Sequence, residues 1–269
     1  MGVPRHQPDI HGVEIHDAEI QDQFTRQAEP FLRRHAGGKQ DLLERMADCA
    51  QPRREDTLLD VACGPGIVSC FFAERVSRVT GLDAVPAMLE SARRLQDDRG
   101  LTNIEWVHGQ ATALPFRDAA FDCAVTRFSF HHYLDPGQAL REMKRVCRRG
   151  GTILVADVTP SPETQDRLNE WEILRDPSHI RALTEAEFAS LGESAGLVLH
   201  RVEQFGLAMD LEDLLAGSFP WPGDAGRLRA LFQEDIRTGA NRLGVAARDE
   251  AGAIRLSYPV TVLAWRRSE

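Results

Sequence analysis

Cysteine is sparse and unpatterned. Cys49, Cys63, Cys70, Cys123 and Cys147 are odd in number and contain no CxxC pair. They suit neither a disulfide framework nor a zinc site, and no metal ligands are assigned. No apolar run approaches the roughly 18 to 20 residues that cross a bilayer. The opening MGVPRHQPDIHGVEIHD lacks the apolar centre of a secretion signal. Excess positive charge is missing too. Lys and Arg number 32 against 41 Asp and Glu, for a net charge of -9, which disfavours a general polyanion binder. RVCRR (145–149) is a local basic run, read as a solvated helix end. These absences predict a reduced, cytoplasmic protein without a membrane partner and disfavour nucleic acid; a monomer or homodimer is expected.

What is present suffices for a sizeable core: 42% of 269 residues are hydrophobic. Residues 1–16 are polar, and His6, His11 and His16 fall at a five-residue spacing that matches no helical face. From Asp17 to Ala50 the apolar positions Ile20, Phe24, Ala28, Phe31 and Leu32 predict helix, broken at Pro30 and at Gly37 and Gly38. Residues 1–50 are thus expected to form a helical segment covering a cleft, and residues 51–269 the main domain.

In that domain strands and helices alternate. TLLDVA (57–62), RVTGLD (78–83), NIEWVHG (103–109), FDCAVTRFSF (121–130) and GTILVADV (151–158) read as strands, with helices at 67–76, 85–96 and 138–147 between them. This spacing predicts a parallel sheet covered on both faces. Thr184 and Glu187 have the spacing of a capping box, and Gly196 suits the end of that helix. LVLHRVEQF (197–205) and IRLSYPVTVLAW (254–265) read as two closing strands. Two stretches interrupt the alternation, near 159–183 and 206–252, and are read as insertions forming one cap.

LLDVACGPGI (58–67) joins an apolar strand to an acid and two glycines one residue apart. A phosphate loop of the GxxxxGK[ST] type is excluded, since no Lys follows either glycine. GPGIVS (64–69) resembles the GxGxxG turn of a dinucleotide fold with Ser69 at its last position. Asp83 follows Gly64 by 19 residues, where a ribose-binding acid belongs. On spacing alone NAD stays open. Two features favour another ligand. Asp60 stands four residues before Gly64, where a pyrophosphate would meet a buried acid. Pro65 removes a backbone donor that phosphate would use. An ammonium-bearing ligand with a ribose and no phosphate suits all of these, and S-adenosylmethionine is such a ligand.

Here the sequence resembles a known family. LLDVACGPG, VTGLD, GQATALPF (109–116), FDCAVTRFSFHHYLDP (121–136), REMKRVCRRGGTILVADV (141–158) and LTEAEFASLGESAGL (183–197) are similar, in order and spacing, to successive motifs of class I methyltransferases. The nearest type is the group of ubiquinone/menaquinone C-methyltransferases and small-molecule O-, N- and S-methyltransferases. The resemblance implies an α/β, Rossmann-like doubly wound sheet of seven strands, mostly parallel, with the last antiparallel. It implies S-adenosyl-L-methionine as cofactor and S-adenosyl-L-homocysteine as product. Asp60 would face the methionine ammonium beside the turn of Gly64 and Gly66, and Asp83 would accept the ribose hydroxyls. Ala84 and Met88 would border the adenine, Gln110 and Ala111 would meet its edge, and Arg127 would sit beside the methionine and sulfonium. Asp is usual where Gln110 stands; the amide oxygen still accepts, one methylene further out.

Methyl transfer from a sulfonium is an in-line displacement, so alignment and exclusion of water matter most. In SFHHY (129–133), His131 or His132 could take a proton from the acceptor, at the rim of the expected cleft. Phe24, Trp171, Phe219 and Trp221 are the candidate acceptor-binding aromatics. The acceptor is expected to be a small molecule. A nucleic-acid methyltransferase is disfavoured by the acidic balance and by TRFSF, which stands where an amino-methylating N/D-P-P-Y/F motif would be. A cofactor-binding scaffold without methyl transfer would carry the same cofactor motifs.

Overall fold

The computed structural model describes residue 16, residues 18–28 and residues 40–268. His6, His11, Pro30, Gly37 and Gly38 lie outside the described residues. Residues 18–28 are helical, and α1 (Gln40–Ala50) leads into the sheet.

The sheet follows from its sequence pattern. Strands β1 (Thr57–Val61), β2 (Arg78–Asp83), β3 (Ile104–His108), β4 (Phe121–Arg127) and β5 (Cys147–Val158) run parallel, linked by α2 (Ile67–Ala73), α3 (Pro86–Asp98) and α4 (Pro136–Val146). All seven residues of β4 are buried, as a strand covered on both faces requires. The two faces separate along each strand with a period of two. Leu58, Val79, Leu154 and Val262 join a core with Met46 and Phe72 on one side. Leu59, Leu82, Val155 and Leu263 join Phe130, Met143 and Trp265 on the other.

Beyond β5 come α5 (Gln165–Arg175), α6 (Glu185–Ser194), β6 (Leu197–Asp210), α7 (Leu211–Ala216), α8 (Asp224–Thr238), β7 (Arg248–Glu250) and β8 (Ala253–Arg267). The strand order is β3-β2-β1-β4-β5-β8-β6, with β8 antiparallel to both neighbours. Seven strands lie on this path. An eighth, β7, has three residues and forms a hairpin with the outer end of β8. The predicted capping box is formed: the Thr184 hydroxyl accepts the Glu187 N–H, and the Glu187 carboxylate accepts the Thr184 N–H.

The two insertions pack on each other. Trp171 of α5 meets the Phe232 ring of α8 edge-on at 5.1 Å, and its Nε1 donates to the Leu243 carbonyl at 3.0 Å. Strand order reverses between β1 and β4, and in open α/β sheets that switch is where a ligand crevice opens at the carboxyl ends.

Candidate active site

A cavity of about 890 Å³ occupies that crevice. Its floor is the turn after β1. Ala62, Gly64 and Gly66 have φ of 53°, 52° and 80°, a left-handed conformation that is cheap only for glycine. Gly66 has a second constraint, because a Cβ there would lie 2.6 Å from the Trp106 ring. Gly64 has open space instead.

Two carboxylates are fixed at this turn. Asp60 is 1% exposed, and one oxygen accepts the Ser69 hydroxyl at 2.6 Å. Burial raises its pKa to about 7, against the pull of Ser69 and Arg127. Asp83 accepts the Gly64 N–H at 2.7 Å on one oxygen and the Val85 N–H at 2.8 Å on the other. It thereby staples the turn to the end of β2. Burial raises its pKa as well, opposed by those backbone donors.

Ala84, Met88, Gln110, Ala111 and Arg127 also line this cavity, with Ile20 and Phe24 of the N-terminal helix. That helix is tied down by Gln21, whose amide donates to the Ala84 carbonyl at 2.6 Å. Arg127 is buried, its pKa lowered to about 10 by that burial despite Asp60 nearby. Its Nη1 is buried and has no hydrogen-bond partner, a costly state for a charged group. Two carboxylates and an orphaned guanidinium nitrogen around one cavity fit a ligand with an ammonium, a hydroxyl pair and a carboxylate. They do not fit a pyrophosphate.

SFHHY lies beside it, Phe130–His132 forming a 3-10 turn. His131 Nδ1 is 2.6 Å from Asp157 Oδ1, and the other Asp157 oxygen accepts the Phe130 N–H at 2.8 Å. Burial disfavours the imidazolium of His131, but Asp157 outweighs it and the pKa rises above its ordinary value. His132 differs. Its Nδ1 bonds the Ser178 carbonyl at 2.9 Å, and burial with neighbouring His131 lowers its pKa to about 3. The His132 carbonyl bonds His16 Nε2 at 2.8 Å.

A second compartment of about 90 Å³ adjoins the first, sharing Phe24, Phe128 and His132 in its wall. His131 lines this smaller compartment only, whereas His132 lines both. Three of the four expected acceptor-binding aromatics line neither cavity. Trp171 is packed in the insertion core, Phe219 is half-buried at a positive φ, and Trp221 is 61% exposed. Of the three, only Trp171 is a core residue, packed where the two insertions meet. Sequence reasoning passed over Glu172, Arg175, Asp176 and His179, which line the smaller compartment. The signal available was RDPSH (175–179), a polar run inside an insertion that is nevertheless buried at four of five positions.

The fold and this cradle are those expected of an S-adenosylmethionine-dependent methyltransferase domain. Residues 59–155 match the family model described as a methyltransferase domain. YcgJ of Bacillus subtilis, named an uncharacterized methyltransferase, is 28% identical over 191 residues, covering 70% of this chain and 76% of that protein. Its crystal structure matches with a TM-score of 0.75 at 24% identity, over 84% of this chain and 98% of that one. Demethylmenaquinone methyltransferase of Thermus thermophilus is 36% identical over 121 residues, 44% of this chain and 54% of the relative. The chain thus spans about three quarters of the first relative and about half of the second. Geranyl diphosphate C-methyltransferase of Streptomyces coelicolor, solved with geranyl diphosphate and S-adenosyl-L-homocysteine, shares the fold at a TM-score of 0.60. Its identity is 17%, over 85% of this chain and 79% of that one. Among the described residues, no helix is long and apolar enough to cross a membrane.

Proposed function

We propose that this protein transfers the methyl group of S-adenosylmethionine to a small-molecule acceptor seated where the two cavities meet. The observation that carries this reading is their junction. The large cavity carries the two acids and the orphaned guanidinium, and it shares Phe24, Phe128 and His132 with a compartment lined by His131.

In this reading Asp60 faces the ammonium, Arg127 Nη1 the carboxylate, and Asp83 the ribose hydroxyls. Ala84 and Met88 border the adenine, and Gln110 and Ala111 meet its edge. Gly64 and Gly66 allow the backbone to pass close to the methionine part. When bound, the cofactor supplies an electrophilic methyl on a sulfonium whose leaving group is a neutral thioether. The chain supplies position and a proton acceptor. Asp157 can only accept, so it holds the proton on His131 Nδ1 and leaves Nε2 as the basic atom of the neutral ring. His131 is therefore the general base. Among the described residues His132 has no carboxylate partner, its Nδ1 is held by the Ser178 carbonyl and burial disfavours its imidazolium, so it walls the junction instead. The N-terminal helix, through Ile20 and Phe24, keeps water from the cavity.

The test is incubation of the protein with methyl-labelled S-adenosylmethionine and a panel of phenols, amines and carbon acids. Label transfer to a panel member supports the reading. Cofactor binding with no transfer to any acceptor class would support the scaffold that binds without methylating.

A further inference from the structure

The smaller compartment holds a feature that cofactor binding leaves unused. Most of its polar wall is satisfied internally. Arg175 pairs with Glu172 at 2.6 Å and with the Ser218 hydroxyl at 2.9 Å, and Glu172 accepts the Tyr258 hydroxyl at 2.7 Å. Asp176 accepts the Gln27 amide and the Ser178 hydroxyl. His179 Nδ1 is the exception: it is buried and has no partner.

The hydrogen on His179 is fixed by its other nitrogen. Asn169 Oδ1 accepts the Ala182 backbone N–H at 2.7 Å, which identifies that atom as the oxygen, and it lies 2.7 Å from His179 Nε2. Nε2 therefore carries the hydrogen, and Nδ1 is a bare lone pair. Burial and the neighbouring imidazoles hold the pKa of His179 far below its ordinary value, so it accepts a hydrogen bond and takes no proton. The His131 and His179 ring centroids are 5.4 Å apart. Each ring has one nitrogen committed to a fixed partner, and both line the same compartment. Among the described residues, no group of three His, Cys, Asp or Glu side chains is arranged to hold a metal ion.

We propose that this compartment receives two adjacent hydroxyl groups of the acceptor, one meeting His131 and the other held by His179 Nδ1. The acceptor class is thus a catechol. This rests on the methyl-transfer reading and sharpens it. At about 90 Å³ the compartment is smaller than the roughly 150 Å³ cavity that admits benzene. The hydroxyl pair enters it, and the ring stays at the junction between Phe24 and Phe128. A buried acceptor atom without a donor penalises any acceptor that lacks the second hydroxyl. His179 is in this account a positioning and specificity residue.

The experiment titrates catechol and phenol into the full chain saturated with S-adenosyl-L-homocysteine, with the imidazole ¹⁵N resonances of His179 followed throughout. Catechol should bind about tenfold tighter than phenol and should move the Nδ1 resonance, which phenol leaves in place. His179→Phe should abolish the preference while leaving S-adenosyl-L-homocysteine affinity unchanged. Equal affinities, an unmoved resonance, or a preference surviving in His179→Phe would each overturn the assignment. If that variant does not fold, the resonance in the native chain decides. Failure of S-adenosyl-L-homocysteine to bind at all would overturn the methyl-transfer reading, and this inference with it. Normal binding without a catechol preference overturns this inference alone.

Discussion

His131 and Asp157 form a buried pair with Nδ1 2.6 Å from Oδ1, and the same carboxylate receives the Phe130 N–H on its second oxygen. One side chain thus fixes both the fold of the 3-10 turn and the hydrogen on the imidazole. Orientation and basicity are set together.

Because Asp157 is what raises the pKa of His131, turnover should rise with pH through an inflection above the ordinary histidine value. Asp157→Asn removes the charge and should move that inflection to lower pH. Turnover should fall about tenfold or more, the weaker base and looser ring acting together. S-adenosyl-L-homocysteine affinity should not change. A pH–rate profile identical to the native one would remove His131 as the base.

Asp60 carries the second pH dependence. Its neutral form, favoured below about pH 7, cannot pair with an ammonium. S-adenosyl-L-homocysteine affinity should therefore weaken as pH falls, approaching about tenfold per unit below that value. Binding there should release a proton, since the ligand's positive charge favours the carboxylate. Calorimetry in buffers of different ionisation enthalpy reads that proton directly. Affinity independent of pH would contradict the role given to Asp60.

Asp83→Ala removes the acceptor of the Gly64 and Val85 N–H groups together with the proposed ribose contact. S-adenosyl-L-homocysteine affinity should fall by more than tenfold. Unchanged affinity would sink the ribose assignment.

The two turn glycines should differ in stability cost. Gly66→Ala combines a positive φ with a Cβ 2.6 Å from Trp106, and should cost about 3 kcal/mol in denaturant unfolding. Gly64→Ala meets nothing within 4 Å and should cost about 1 kcal/mol. Equal costs would mean that packing against Trp106 does not constrain the turn.

Much of this fold was legible because covered parallel strands write themselves as short apolar runs. Each of β1, β2, β4 and β5 lies in such a run, and the acids at the ends of β1 and β2 were visible from their spacing to Gly64. Less was legible where burial is one-sided or absent. β6 is exposed along most of its length, so its continuation through Asp210 left no alternation to read. β7 has three exposed residues and no apolar signal at all. The acceptor side was hidden for another reason. Arg175 and Ser218 meet only after the two insertions have packed together, and the His179–Asn169 pair closes across ten residues of the first insertion, so no local period encodes either contact. Trp171 follows the same rule: its ring is buried where the two insertions pack, edge-on against Phe232, a contact that no local pattern announces.

The most direct test of the account is calorimetric titration of the ligand-stripped protein with S-adenosyl-L-homocysteine, with NAD as the control. Micromolar binding of the first and none of the second is the predicted result. Binding of NAD without S-adenosyl-L-homocysteine would contradict the account at its base, since Asp60 and Pro65 would then belong to a dinucleotide turn.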